Sequence, residues 1–258
     1  MAHKTRWLLG GLLCLALLPV FAHAQSPERM EEFMKAFQKE IERKFGADSP
    51  ATAFSLNRQA GHYQAQGRYA EAEPLYLRAL AIMEKALGPD HPSVAENVNG
   101  LAELYHDQGR YAEAEPLFER ALAIVEKALE PDHPRVARIL NNLGELNRVQ
   151  GRYAEAESLH KRALAIREKE FVPDNPRTAH SLSNLALVYQ AQGRYAEAES
   201  LYLRALAIWE KSLGPDLLYE AVSLENYADL LRKTGREDEA TEMEARAKAI
   251  RAKHARDN

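Results

Sequence analysis

The sequence predicts an all-α fold built as a solenoid of helix-turn-helix units. Three observations carry that reading. The segment GRYAEAE occurs four times, at Gly67–Glu73, Gly109–Glu115, Gly151–Glu157 and Gly193–Glu199, each copy one constant step after the last. A worn fifth copy, Gly235-Arg236-Glu237-Asp238-Glu239-Ala240, falls on the same step. A fixed period of this length marks a repeat array. The chain is also rich in Ala, Leu, Glu and Arg, with Gly and Pro confined to recurring positions, as helices require. Finally, one connector recurs: Gly88-Pro89-Asp90-His91-Pro92, Glu130-Pro131-Asp132-His133-Pro134 and Val172-Pro173-Asp174-Asn175-Pro176. At 258 residues the chain is expected to form one elongated body, because each unit touches mainly its neighbours.

The N-terminal segment, positions 1–24, differs in kind. Lys4 and Arg6 make a basic start, an apolar run follows from Trp7 to Phe21, and Ala22-His23-Ala24 supplies small residues at a cleavage site. This reads as a secretory signal peptide cut after Ala24. The other reading is an uncleaved anchor, but the run of about 15 residues is short of the ~20 that span a bilayer. A lipoprotein is disfavoured, since the bulky Leu13 precedes Cys14. Cys14 is the single cysteine and leaves with the signal, so the mature chain enters an oxidising compartment without a thiol. The expected location is the periplasm or the exterior of a bacterium. The chain carries 34 Lys and Arg against 38 Asp and Glu; without Lys4 and Arg6 the balance is 32 against 38. An acidic balance argues against nucleic acid as a partner.

Residues 26–45 read as one helix, capped by Ser26 with Pro27 at its first position. Met30, Phe33, Met34, Phe37, Ile41 and Phe45 form one apolar stripe. The stripe either covers the first repeat as a lid, within a capping segment 25–47, or pairs with a second copy. Residues 48–250 form five repeats, and 251–258 form a polar tail. In the second repeat the first helix runs from about Pro92 to His106 and the second from about Tyr111 to Ala128. Gly109 between them, like Gly67, Gly151, Gly193 and Gly235, suits the left-handed conformation that ends a helix. Ala95, Val98, Leu101, Ala102, Leu104 and Tyr105 are core positions of the first helix. Their counterparts one period on are Ala137, Leu140, Leu143, Gly144, Leu146 and Asn147. In the second helix Tyr111, Ala114, Leu117, Phe118, Ala121, Leu122 and Ile124 face inward.

No catalytic constellation, metal site or cofactor site is expected. His91 and His133 share one loop position but lie a full repeat apart, too far for one metal ion. The Gly-Arg-Tyr turns lack the phosphate-loop pattern. Arg78, Arg120, Arg162 and Arg204 recur on helices that also carry Glu, which reads as a solvated face with ion pairs.

The spacing Leu101, Ala102, Tyr105, Gly109, Tyr111, Ala114, Phe118, Ala121 resembles the tetratricopeptide repeat. The 42-residue period, the Asp-His-Pro connector and Asn141-Asn142-Leu143 look like its longer variant, found in kinesin light chains and many bacterial proteins. The resemblance covers about residues 48–250. It implies a right-handed superhelix whose concave face, lined by first helices, holds an extended peptide or partner helix. Carried over position by position, that groove includes Asn57, Asn99, Glu103, Arg138, Asn141, Asn142, Glu145, Asn184 and Asn226. Primary amides both donate and accept, so such a ladder suits a peptide backbone. Alternatively, some of these amides bond between adjacent helices. Arg138 before Asn142, and His180 before Asn184, match the spacing of a clamp for a C-terminal carboxylate. Glu103 and Glu145 oppose that, so a neutral or mixed-charge segment is expected. The reading is a non-catalytic scaffold or adaptor for a protein partner. The alternative is an accessory or regulatory subunit of a cell-envelope enzyme.

Overall fold

The computed structural model describes residues 27–170, 175–211 and 217–257. The expected signal segment, the Ser26 cap and most of the connector around Pro173 lie outside them, as do residues 212–216. Among the described residues the regular elements are eleven helices. These are α1 (Pro27–Phe45), α2 (Pro50–Ala65), α3 (Tyr69–Leu87), α4 (Pro92–Asp107), α5 (Tyr111–Ala128), α6 (Pro134–Val149), α7 (Tyr153–Glu170), α8 (Pro176–Ala191), α9 (Tyr195–Lys211), α10 (Leu217–Lys233) and α11 (Glu237–Asp257). The expected polar tail is therefore mostly the last turns of α11. The helices form two compact units, α1–α3 and α4–α11.

The helix starts come from the connectors. Pro92, Pro134 and Pro176 sit at first-turn positions where a missing N–H costs nothing. The residue before each proline caps the helix. His91 Nδ1 accepts from the Ser93 N–H at 3.1 Å, His133 Nδ1 from the Arg135 N–H at 3.1 Å, and Asn175 Oδ1 from the Arg177 N–H at 2.9 Å. The two loop histidines are thus helix caps. Helix ends come from glycine: Gly67, Gly109, Gly151, Gly193 and Gly235 take φ between 72° and 79°.

Within a repeat, the arginine of Gly-Arg-Tyr joins the two helices. Arg110 stacks over Tyr105 of α4, 3.9 Å from the ring centroid, and donates twice to Glu113 of α5 at 2.7 Å. Arg68 and Arg194 repeat the arrangement on Tyr63 and Tyr189. The same arginines reach back one repeat: Arg152 pairs with Glu115 at 2.7 Å and Arg194 with Glu157 at 2.8 Å. The outer arginines also pair across repeats, Arg162 with Glu126 and Arg204 with Glu168. This is the expected solvated, ion-paired face. Being largely exposed, each such pair contributes little by itself.

The core is columnar. Ala95, Ala137, Ala179 and Ala221 occupy one position in successive first helices, and Ala114, Ala156, Ala198 and Ala240 one position in second helices; all are 0 % exposed. Small side chains there let helix axes approach to roughly 8–10 Å. Val98, Leu140, Leu182 and Leu224 fill the next column. In the first unit α1 packs on α2, and Glu31 of α1 binds Arg68 while Glu42 pairs with Arg78 at 2.9 Å. Glu31 and Glu42 stand one full repeat step before Glu73 and Glu84 of α3. Helix α1 therefore occupies the register of a second helix, a half-repeat packed on α2.

The third repeat breaks the columns. Gly144 stands where Ala60, Ala102, Ala186 and Ala228 stand elsewhere, and His160 where Tyr76, Phe118 and Tyr202 do. A methyl group on Gly144 would meet His160 Nε2 at 2.8 Å. The two departures compensate each other: the imidazole, pulled toward Asn141, occupies the space of the missing methyl.

Two expectations follow. Gly109→Ala places an L side chain at φ 72° with nothing within 4 Å of its methyl, so the loss is purely conformational, about 1–2 kcal/mol by urea denaturation. Gly144→Ala destabilises by about 1–3 kcal/mol through overpacking, and adding His160→Phe, the Ala–Phe pairing of the second repeat, recovers most of it. An unchanged urea midpoint in Gly144→Ala contradicts the packing described.

Candidate functional site

In the second unit the first helices α4, α6, α8 and α10 adjoin one another in sequence. A cavity of about 530 Å³ opens on them. Its floor and walls come from fixed repeat positions. Pro134 and Pro176 bring the N-termini of α6 and α8 to it, and Arg135 and Arg177 follow in their first turns. One turn on stand Arg138 and His180. The second helices send in Arg167 from α7 and Trp209 from α9, and α10 contributes Tyr219.

The rings form one group. Tyr219 stacks on Trp209 with centroids 6.5 Å apart and 12° between planes, and meets His180 edge-on at 5.2 Å. Tyr219 remains 55 % exposed, while Trp209 is buried. The indole N–H of Trp209 has no acceptor among the described residues.

The charges are unbalanced. Among the described residues four arginines line the cavity against one lining carboxylate, Glu103. Arg138 pairs with Glu96, which also faces Arg135 at 3.3 Å. Arg167 is 8 % exposed and donates to the backbone carbonyl of Arg177; no carboxylate pairs with it among the described residues. Burial, then the like charges of Arg177 and Arg138, push its pKa down to about 10. It therefore stays cationic at neutral pH. Burial, then Arg167, lowers His180 to about 4. His160 is lowered to about 3 by burial, then by His180, Arg148 and Arg167. Its Nδ1 N–H donates to Asn141 Oδ1 at 3.0 Å; the amide oxygen only accepts, which assigns the tautomer.

Of the residues read as groove positions, Glu103, Arg138, Asn141 and Asn142 line this cavity. Their side chains are largely engaged. Asn142 donates to Asn99 Oδ1 at 3.1 Å and also to Glu103, and Asn99 donates to Glu103 at 2.6 Å. Asn141 donates to Ser181 at 3.0 Å besides accepting from His160. Asn99 and Asn141 are thus buried links between neighbouring first helices, the second of the two roles considered for the amides. Asn184 and Asn226 are partly exposed and make no side-chain hydrogen bond among the described residues. Glu145 is held by Arg148 at 2.6 Å, away from the cavity lining. Asn57, on α2 in the first unit, keeps a buried Oδ1 without a donor. The Arg138–Asn142 pair is occupied internally, by Glu96 on one side and by Asn99 and Glu103 on the other.

Sequence reasoning missed Arg135, Arg167, Arg177, Trp209 and Tyr219. The register held the signal for the most important one. Arg167 stands at the position of Met83, Val125 and Trp209, an apolar core column.

The tetratricopeptide repeat family matches residues 51–106, 95–169, 136–202 and 177–253. The chain belongs to the tetratricopeptide repeat family. No curated protein matches it in sequence. Among solved structures it is similar to BtubC (BKLC) from P. vanneervenii, at 25 % identity and TM-score 0.73, over 88 % of this chain and 92 % of that one. It is also similar to a Podosopora anserina putative kinesin light chain of nearly identical repeats, at 30 % identity and TM-score 0.63, over 80 % and 98 %. A chain of the APC/C hetero-tetramer Cut9–Hcn1 shares the fold alone, at 14 % identity and TM-score 0.65, over 85 % of this chain and 36 % of that one. The repeats are of the kinesin-light-chain-like kind, and repeats of this family are generally protein-interaction scaffolds. No described helix is long and apolar enough to cross a membrane.

His160, fully buried, and His180, half-buried, set a pH dependence. Both bind protons more weakly in the folded chain than at the ordinary value of 6.5. Below that value the unfolded chain takes up protons that the folded chain refuses until about pH 4 at His180 and about pH 3 at His160. Their contribution is therefore complete above pH 6.5 and is lost as pH falls. Glu31 and Glu157, lowered from 4.5 to about 2, add losses only at more acidic pH. The urea midpoint is expected to drop between pH 7 and pH 5, and to drop less in His160→Phe. Equal drops in both would contradict the assignment.

Proposed function

We propose that the chain is a non-catalytic scaffold that takes a peptide segment or partner helix along the first helices of the second unit, α4, α6, α8 and α10. The family supports a protein partner. The observation that carries the finer reading is the cavity on these helices, flanked by side chains with capacity to spare. Asn184 and Asn226 offer unengaged amides, and Tyr219 offers an exposed ring beside a buried Trp209. Aromatic and arginine side chains are those that most often anchor partners. The basic and apolar N-terminal segment supports action outside the cytoplasm, in the periplasm or beyond, where the partner is then sought.

The test is a crosslinking capture from envelope extract using the chain with its own N-terminal segment. It is compared with an Arg135→Ala/Asn184→Ala/Asn226→Ala form whose folding is checked by circular dichroism. A partner held by the first and at least about tenfold depleted on the second is expected, since three lost contacts of about 0.5–1.5 kcal/mol each span that factor. Equal capture by both moves the partner to another face and sinks the groove reading.

A further inference from the structure

The scaffold reading leaves Arg167 and Trp209 unexplained. An arginine in an apolar column is costly, because burying a cation without a counter-charge is strongly unfavourable. Arg167 is more than nine-tenths buried, and what surrounds it makes matters worse: Arg177 and Arg138 are its charged neighbours, and its bond goes to a neutral carbonyl. One register position further, Trp209 buries an indole N–H with no acceptor among the described residues. Both groups donate only. Two helix N-termini, each heading a 16-residue helix, open on the same cavity; their first N–H groups are capped by His133 and Asn175, so they add dipole potential alone. Donors and cations converge on one space whose described lining holds one carboxylate, Glu103, engaged by Asn99 and Asn142, while Glu96 answers Arg138 and Arg135 and leaves Arg167 without a carboxylate partner among the described residues. A volume of about 530 Å³ falls in the range of small-ligand sites.

We propose that this cavity is an oxyanion-binding site, seating a phosphate or carboxylate group against the guanidinium of Arg167 beside Trp209 and the N-termini of α6 and α8. The seat differs from the carboxylate clamp that the first-helix spacing implied. Its centre is a second-helix arginine, and the Arg138–Asn142 pair is consumed within the protein. It goes beyond the scaffold reading, because it holds whether the anion is a free small molecule or a carboxylate on a bound partner. An anion here would join α6, α7 and α8 through one counter-charge.

Trp209 supplies the readout. The chain has two tryptophans, and the other, Trp7, lies in the N-terminal segment. Trp209 fluorescence is followed at constant ionic strength while the purified chain is titrated with sodium phosphate, with glutarate, with an acetylated and amidated hexaglutamate, or with its hexaglutamine counterpart. Saturable change is expected with at least one of the three anions and none with hexaglutamine. Response to phosphate or glutarate assigns a free small anion. Response to hexaglutamate alone assigns a partner's carboxylates. Arg167→Gln is expected to weaken the response by about tenfold or more, the loss of a charge-assisted bond. If Arg167→Gln fails to fold by circular dichroism, Arg177→Gln, at the exposed rim, is expected to weaken it less but measurably. Silence of all three anions, or an unchanged response in the folded variants, overturns the proposal. A hexaglutamine response that ignores both substitutions also overturns it while leaving peptide binding intact. A phosphate response together with equal partner capture in the preceding test would sink the groove and keep the anion site.

Discussion

Everything in this structure depends on a packing register. A single helical hairpin has two apolar faces and can bury only one against itself. The other must meet the next hairpin, so side chains one period apart share one environment. The fully buried alanine columns show how strict this is. Ala114, Ala156, Ala198 and Ala240 are all fully buried, so a larger side chain there has to displace its close-packed neighbours. The ion pairs on the outer face follow the same register, as Arg162–Glu126 and Arg204–Glu168 show, yet their exposure makes them followers of the packing rather than its cause.

A strict register makes departures from it informative. The third repeat holds Gly144, Asn147, His160 and Arg167 where its neighbours hold alanine, mostly tyrosine, an aromatic ring and an apolar or indole side chain. Three of these are resolved inside the protein. His160 fills the space that Gly144 leaves and bonds Asn141, and Asn147 donates to the Leu143 carbonyl at 2.8 Å. Arg167 is not resolved in this way. Its guanidinium bonds only a neutral carbonyl and lines a cavity with other arginines, where a ligand anion would supply a counter-charge.

Much of the fold was legible because it repeats. Gly-Arg-Tyr turns, the proline starts and the alanine columns each occur several times, so one reading of α4 and α5 carried over to their counterparts. The half-repeat character of α1 was harder to see, since only Glu31 and Glu42 are identical to their counterparts in α3. The site was less legible. First-helix residues were chosen from the face they should present, which found Glu103, Arg138 and Asn142. That choice could not tell that amides such as Asn99 would be spent between helices. It also passed over second helices, whose inward faces are normally apolar. Arg167 and Trp209 reach the cavity from there, and Tyr219 reaches it from a first turn whose equivalents are Ser93, Arg135 and Arg177.

The proposed recognition is concentrated where the third and fourth repeats meet, on α6 and α8. Amide hydrogen exchange of the chain, alone and saturated with the captured partner, tests it most directly. Protection is expected to concentrate in the N-terminal halves of α6 and α8 and at the start of α10. Protection confined to the outer faces of α5, α7 and α9, or to α1, would contradict it.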